Sequence, residues 1–318
     1  MNLLIGPANL IDEAIEKLKA SIDDVAVIAC SGGIDSSVAA TLANRAVGDI
    51  LHCVYVDTGL MRKDETEDVQ RVLGELGLNL TTVHAADRYF EALEGVTDPE
   101  RKRKIIGELF IRIFEEEQKK VGAKYLVQGT IAPDWIESGG GVRDVIKSHH
   151  NVGGLPDDIE LEIVEPLRDC YKDEVREMAR ELGIPSSERQ PFPGPGLAVR
   201  VLGELTPARV EVCREACAIV EEELEAAAES GLMELPWQYF AALLPVRSVG
   251  VHGDVRVHGE TVVIRAVASL DGMSARYSLV PHDVLEKISI RITNTLKGDV
   301  NRVVYDVTHK PPGTIEWE

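Results

Sequence analysis

Short apolar runs alternate with amphipathic stretches through the first half of this sequence. That alternation predicts an α/β domain built on a parallel sheet, followed by a smaller α+β domain. Three observations carry the prediction. Runs of strand length recur between helical patterns, a glycine-serine turn joins the first run directly to a helix, and a proline-glycine cluster at 190–196 precedes a change of texture. With 318 residues and about 150 per domain, two domains fit and a third of ordinary size does not.

The elements follow in order. Ile11, Ala14, Ile15 and Leu18 share one face of a helix over 11–20, and VAVIAC at 25–30 is an uninterrupted apolar run, the mark of a buried strand. SGGIDSS then leads into the helical pattern SVAATLANRAV, which stops at Gly48. Further strands are predicted at 50–56, 80–84 and 124–128, with helices over 64–76 and 98–122, the latter opening on Asp98, Pro99 and Glu100. Residues 129–156 form a long polar stretch with a triple glycine, which predicts a functional loop. A strand over 159–164 and a helix over 172–182 complete the first domain, placed at 1–190. QPFPGPG packs three prolines and two glycines into seven residues, so 191–200 is read as a stiff hinge. The second domain, 201–318, holds a helix over 206–228 headed by Thr-Pro and a strand such as TVVIRAV at 261–267.

Composition removes several classes. Lys and Arg total 34 against 54 acidic residues, a net charge of −20, which argues against a nucleic-acid partner bound through its phosphate backbone. Hydrophobic residues at 44% describe a folded domain with a sizeable core. Five cysteines without a CxxC pair exclude a disulfide framework and a four-thiolate zinc site; Cys213 and Cys217, spaced i,i+4, read as packing. No apolar run reaches membrane-spanning length and the first residues lack a signal-peptide pattern, so a cytoplasmic protein with no membrane partner is expected.

The chemistry concentrates in Ser31-Gly32-Gly33-Ile34-Asp35-Ser36-Ser37. A glycine turn between a buried strand and a helix converges unpaired N–H groups and the positive end of the helix dipole, so it binds anions. The serines add hydroxyl donors, and no GK[ST] follows, so this is not a Walker A loop. Asp35 either faces a metal or orients the loop; the plainer alternative is that it caps the following helix. Val56 and Asp57 end one strand and Gly129 another, and α/β sheets bind ligands at such carboxyl ends.

SGGIDSS resembles the pyrophosphate loop of the ATP pyrophosphatase superfamily (adenine nucleotide alpha hydrolase-like), which cleaves ATP between its α and β phosphates. VDTGLMRKDE (56–65), DPERKRKIIGELF (98–110), QGTIAPDWIES (128–138), VIKSHHNVGGLP (145–156), RQPFPGPGLAVRVLGE (189–204), LPVRSVGVHGD (244–254) and NRVVYDVTHKPPGTIEWE (301–318) are together similar to the GMP synthetase family. The PFPGPG run and the KPPGTIEWE tail separate this likeness from one to NAD synthetase. Some thirty residues precede the loop, which resembles a stand-alone synthetase subunit without the family's glutamine amidotransferase domain.

The resemblance implies a ligase that makes GMP from XMP, ATP and ammonia through an adenylyl-XMP intermediate, with Mg²⁺, as a homodimer joined through the second domain. A separate glutamine amidotransferase subunit would supply the ammonia. It further implies that Ser31 to Ser37, Val56, Asp57 and Gly129 bind ATP, that Asp35 faces the metal, and that Asp134, Glu137 and Lys147 act catalytically on a closing lid. Arg62, Asp254, Arg302, Lys310, Ile315 and Glu316 match positions that contact XMP. His149 and His150 read as structural, because adjacent side chains on an extended segment point opposite ways.

Overall fold

A computed structural model describes residues 7–132, 161–185, 190–270 and 272–318 of the chain. It divides into two compact units. Unit 1 comprises Met1–Asp57, Thr66–His84 and Phe110–Arg189; unit 2 comprises Thr58–Glu65, Ala85–Leu109 and Gln190–Glu318.

Unit 1 is the parallel α/β unit. Its sheet runs β3-β2-β1-β4-β5, with β1 at Ala26–Ala29, β2 at Leu51–Asp57, β3 at Leu80–His84, β4 at Tyr125–Val127 and β5 at Glu162–Val164. Every neighbouring pair is parallel. The helices are α1 (Pro7–Ser21), α2 (Ile34–Val47), α3 (Glu65–Glu75) and α6 (Lys172–Glu181), with the last part of α5 (Pro99–Val121). Ile28, Cys53 and Tyr55 of the sheet join Leu18, Val38, Leu42 and Val175 of the helices in one core, which is why β1 and β2 read as continuous apolar runs. From β1 the chain steps outward to β2 and β3, then returns to β4 on the opposite side. This reversal is a topological switch point, where the strands' carboxyl ends open a crevice.

Unit 2 has a four-stranded sheet. Antiparallel β6 (Gln238–His252) and β7 (Val255–Ala268) form a long hairpin; β8 (Arg276–Tyr277) and β9 (Val300–Tyr305) both pair with β7, β9 in parallel. A register shift between Leu244 and Arg247 accommodates Pro245, which has no N–H to give the ladder. α7 (Pro207–Glu229) is capped by Thr206, whose hydroxyl accepts from the Arg209 N–H at 3.2 Å, and it packs on β6. α8 (His282–Thr295) packs on α7 and β9.

Two segments well ahead of the expected 191–200 boundary belong to unit 2. The first, 58–65, is held by its backbone carbonyls. Leu197 N–H donates to Leu60 O at 2.7 Å, while the Arg214 guanidinium donates to Gly59 O at 2.6 Å and Met61 O at 3.0 Å. The second, 85–109, contains α4 (Ala86–Ala92) and the start of α5. Residues 196–201 of the proline-glycine region are buried inside unit 2, partly as a single 3₁₀ turn.

Candidate active site

The Ser31–Ser37 loop sits at the switch point. Gly32 takes φ +76°, a conformation that excludes most side chains, and Gly33 occupies the N-cap of α2 with no side-chain cap. The hydroxyls fold back onto the loop. Ser36 Oγ and Ser37 Oγ donate to Gly33 O at 3.0 and 2.9 Å, while Ser31 Oγ lies 3.1 Å from Ser36 Oγ and accepts from Gly33 N–H at 3.3 Å. The turn is thereby rigidified, and the first-turn N–H groups of α2 have no intrahelical acceptor. Gly129, just beyond β4, approaches the same backbone. A Cβ there would stand 3.0 Å from the Asp35 carbonyl and 3.1 Å from Ser36 N. Ser31, Gly32, Gly33, Ile34, Asp35, Ser36, Ser37 and Gly129 therefore converge. Val56 is buried at the end of β2 beside them, since Cys30 N–H donates to Val54 O at 2.8 Å, and the Asp57 carboxylate lies 3.3 Å from His84 Nδ1. A cavity of about 110 Å³ lined by Gly32, Ser37, Val69, Leu73 and Pro185 is too small for a nucleotide.

Asp35 is not the N-cap; it lies in the first turn of α2. One carboxylate oxygen accepts from Lys172 Nζ at 2.6 Å, and the other is buried with no hydrogen-bond partner among the described residues. That free oxygen fits Mg²⁺, which commonly binds one or two carboxylates together with substrate phosphates and waters. Among the described residues no group of three or more His, Cys, Asp or Glu could form an all-protein cage.

A second constellation lies in unit 2 around Phe192. The guanidinium carbons of Arg62 and Arg200 stand 4.3 and 5.1 Å from its ring centroid, and Arg200 also lies 4.0 Å from that of Phe240. Glu316 receives Arg200 bidentately, at 3.1 and 2.9 Å, and Gln238 Nε2 at 3.1 Å. Burial disfavours the Arg200 charge, but Glu316 outweighs that cost and holds the pKa above its ordinary value. Arg62 donates to Gln190 O at 3.1 Å and lies 3.6 Å from both Glu65 and Glu221. Burial pushes the Glu221 carboxyl upward against the pull of Arg62 and Arg200. Arg62 Nε and Arg200 Nη1 are buried without a hydrogen bond among the described residues, and Arg62 Nε lies 3.6 Å from the Glu221 carboxylate.

The structure thus brings Arg62 and Glu316 to one site. Ile315 is buried next to Glu316, and Lys310 donates from Nζ to Gly272 O at 2.7 Å. Asp254 and Arg302 are not at that site in this chain. Asp254 is exposed in the turn joining β6 to β7, and Arg302 is exposed on β9, its Nε 3.3 Å from Ser248 Oγ. Asp134, Glu137, Lys147, His149 and His150 lie outside the described residues.

Three buried cations escape sequence reasoning: Arg200, Arg265 and Lys102, each with its side chain at 0% exposure. A signal exists for two. LAVRV at 197–201 and VVIRAV at 262–267 are apolar runs interrupted by one arginine, and a charge inside a buried run must be paired. Lys102 is one of four successive basic residues, and only its place on the inward face of α5 distinguishes it. Cys213 and Cys217 are buried in α7, each sulfur directed at backbone carbonyls, which agrees with a packing role.

Comparison with known proteins adds the following. A family model described as GMP synthase C terminal domain matches residues 225–317, and one described as NAD synthase matches residues 8–124. The chain is 58% identical over 314 residues to a subunit of the GMP synthase (glutamine-hydrolyzing) of Thermococcus kodakarensis, covering 98% of this chain and 99% of that protein. It is 57% identical to the like-named subunit of Methanopyrus kandleri, over 99% of this chain and all of the other. Against the GMP synthase (glutamine-hydrolyzing) of Clostridium tetani it is 56% identical, the match spanning 96% of this chain and 60% of that protein.

Proposed function

Because the chain belongs to the GMP synthase (glutamine-hydrolyzing) family, a family of ligases, and matches members made as separate subunits over nearly their whole length, we propose that it converts XMP, ATP and ammonia into GMP, AMP and pyrophosphate. The observation that carries this reading is the Arg62 guanidinium over Phe192, at the same site as a Glu316 carboxylate that buried Arg200 holds bidentately. A planar base with exocyclic oxygens and ring N–H groups supplies acceptors for Arg62 and donors for Glu316.

The first step joins the 2-oxygen of xanthine to the α-phosphorus of ATP and breaks the bond from that phosphorus to the bridging oxygen, releasing pyrophosphate. In the second, ammonia attacks C2 and AMP leaves with the oxygen. The Ser31–Ser37 loop holds the phosphates on the N–H groups and dipole of α2, with the serine hydroxyls keeping the turn in shape. Val56, Asp57 and Gly129 border the adenosine. Asp35 holds Mg²⁺, which neutralises phosphate charge when bound, and Lys172 orients that carboxylate. Arg62 and Glu316 bind the xanthine ring, the buried Arg200 holds Glu316 from behind, and Ile315 and Lys310 fix the adjoining segment. Asp134, Glu137 and Lys147 are assigned to proton removal and charge stabilisation at the transferring phosphoryl group.

Among the described residues no helix is long and apolar enough to cross a membrane, and the proposed site of action is the cytoplasm. A separate glutamine amidotransferase subunit is the proposed ammonia source. A second copy of the chain is proposed to cover the exposed Val249, Val251 and Val304 of the β6–β7 hairpin and β9, near Arg302 and Asp254. The test is turnover of the purified chain with ATP, Mg²⁺, XMP and ammonium, repeated with glutamine in place of ammonium. GMP formation with ammonium and none with glutamine is expected; AMP released at the same rate without XMP overturns the assignment.

A further inference from the structure

The segment 306–318 is gripped at three points by cations that water does not reach. On β7, Arg265 donates to the carbonyls of Thr308 at 2.5 Å and Thr314 at 3.0 Å and pairs with the Asp306 carboxylate at 3.3 Å. Arg200 holds Glu316 bidentately. On the first turns of α5, Lys102 Nζ donates to Val201 O at 2.8 Å and Ala198 O at 3.3 Å and pairs with the Glu318 carboxylate at 2.5 Å. The other Glu318 oxygen accepts from Gly203 N–H at 3.0 Å.

Burying an ammonium is an inefficient way to fasten a segment. Desolvation costs several kcal/mol per ion, and a well-packed apolar side chain of similar volume usually stabilises as well. Burial pulls the Lys102 pKa down, and Glu318 only partly offsets the pull. What an ammonium offers that a methyl group does not is direction, since its donors fix the acceptors around it in space. Here those acceptors are the Ala198 and Val201 carbonyls on either side of Arg200, and a carboxylate two residues beyond Glu316. Lys102 therefore sets both partners of the Arg200–Glu316 pair from outside it.

We propose that Lys102 is a positioning residue for XMP recognition, acting through Glu318 and the 198–201 backbone to hold Arg200 and Glu316 in register. This rests on the XMP reading of the Phe192 site. A misplacement of about 1 Å in such a pair is enough to lose about a hundredfold in efficiency, and a single lost anchor is expected to cost roughly tenfold or more.

The test uses the full chain with ATP, Mg²⁺ and ammonium, measuring the KM for XMP and for ATP, kcat, and the unfolding temperature. Lys102→Met and Glu318→Gln are each expected to raise the XMP KM about tenfold or more, with kcat at saturating XMP and the ATP KM within about twofold of wild type. In the double variant Lys102→Met/Glu318→Leu both charges are gone, so the unfolding temperature recovers while the XMP KM stays raised. If the double variant recovers both quantities together, or if Glu318→Gln keeps the wild-type XMP KM, the positioning role is overturned. Should Lys102→Met fail to fold, Glu318→Gln and the double variant decide. Failure of the underlying reading has a different signature: Glu316→Gln, at the Phe192 site itself, would then keep the wild-type XMP KM.

Discussion

Asp35→Asn should lower XMP-dependent pyrophosphate release by about two to three orders of magnitude, on the scale of losing one preorganised electrostatic group from a transition state. The substitution keeps the shape of the side chain and removes only its charge. Lys172 loses its partner, but its side chain is 41% exposed and water can solvate it, so the fold should survive within about 1 kcal/mol. XMP binding should be unchanged, because Arg62, Arg200 and Glu316 belong to the other unit. The Mg²⁺ concentration needed for half-maximal rate should rise as well. Pyrophosphate release, a melting curve, an XMP titration and a Mg²⁺ titration check the four parts, and wild-type turnover by Asp35→Asn would remove Asp35 from the reaction.

Gly196→Ala should be the most damaging single change to the fold. Gly196 has φ +64°, and an added Cβ would stand 2.3 Å from Leu60 O and 3.2 Å from Leu60 Cβ. Leu60 O already accepts from Leu197 N–H at 2.7 Å, so the clash is with backbone and no side-chain rotation relieves it. The φ alone costs an alanine about 1 kcal/mol; forcing the 58–65 segment away adds overpacking strain of about 1–3 kcal/mol. Gly231→Ala separates the two contributions, since Gly231 has φ +74° with open space where the Cβ would go. It should cost about 1 kcal/mol, with the Gly196 variant several-fold worse in denaturant unfolding. Arg62 follows Leu60 by two residues, so whatever fraction of Gly196→Ala folds should also bind XMP more weakly. Equal unfolding midpoints for the two alanine variants would contradict this.

Local chemistry is legible in the sequence, and long-range pairing is not. Residues 25–48 announce themselves because a phosphate loop needs contiguous residues, with a buried strand before it, glycines in it and a helix after it. The Phe192 constellation has no such contiguity. It draws Arg62, Gln190, Phe192, Arg200, Gln238 and Glu316 from across the chain, and the family likeness gives a site role to only two of them, Arg62 and Glu316. In unit 2 the pattern is legible only where a strand is buried. The apolar run at 261–267 marks the buried part of β7, the exposed start of that strand has no such run, and β9 stands out only as part of a family string. Arg265 and Arg200 resemble interruptions in apolar runs until the carboxylates and carbonyls that neutralise them are located. Lys102 resembles its solvated neighbours. Asp254 and Arg302, grouped with Glu316 by likeness, stand apart from it in space, which is why the second-copy proposal concerns their face of the hairpin.

The order in which the chain visits its two units has a consequence for modularity. It passes from one to the other after Asp57, Glu65, His84, Leu109 and Arg189, so each unit is assembled from separated stretches of sequence. A gene fragment starting at Gln190 would encode the whole β6–β9 sheet yet omit Arg62 and Lys102, and with them the partners of Glu221 and Glu318. Such a chain cannot be shuffled by recombination at one junction. The two units are inherited together, and a designer wishing to exchange one of them must rewrite five joints.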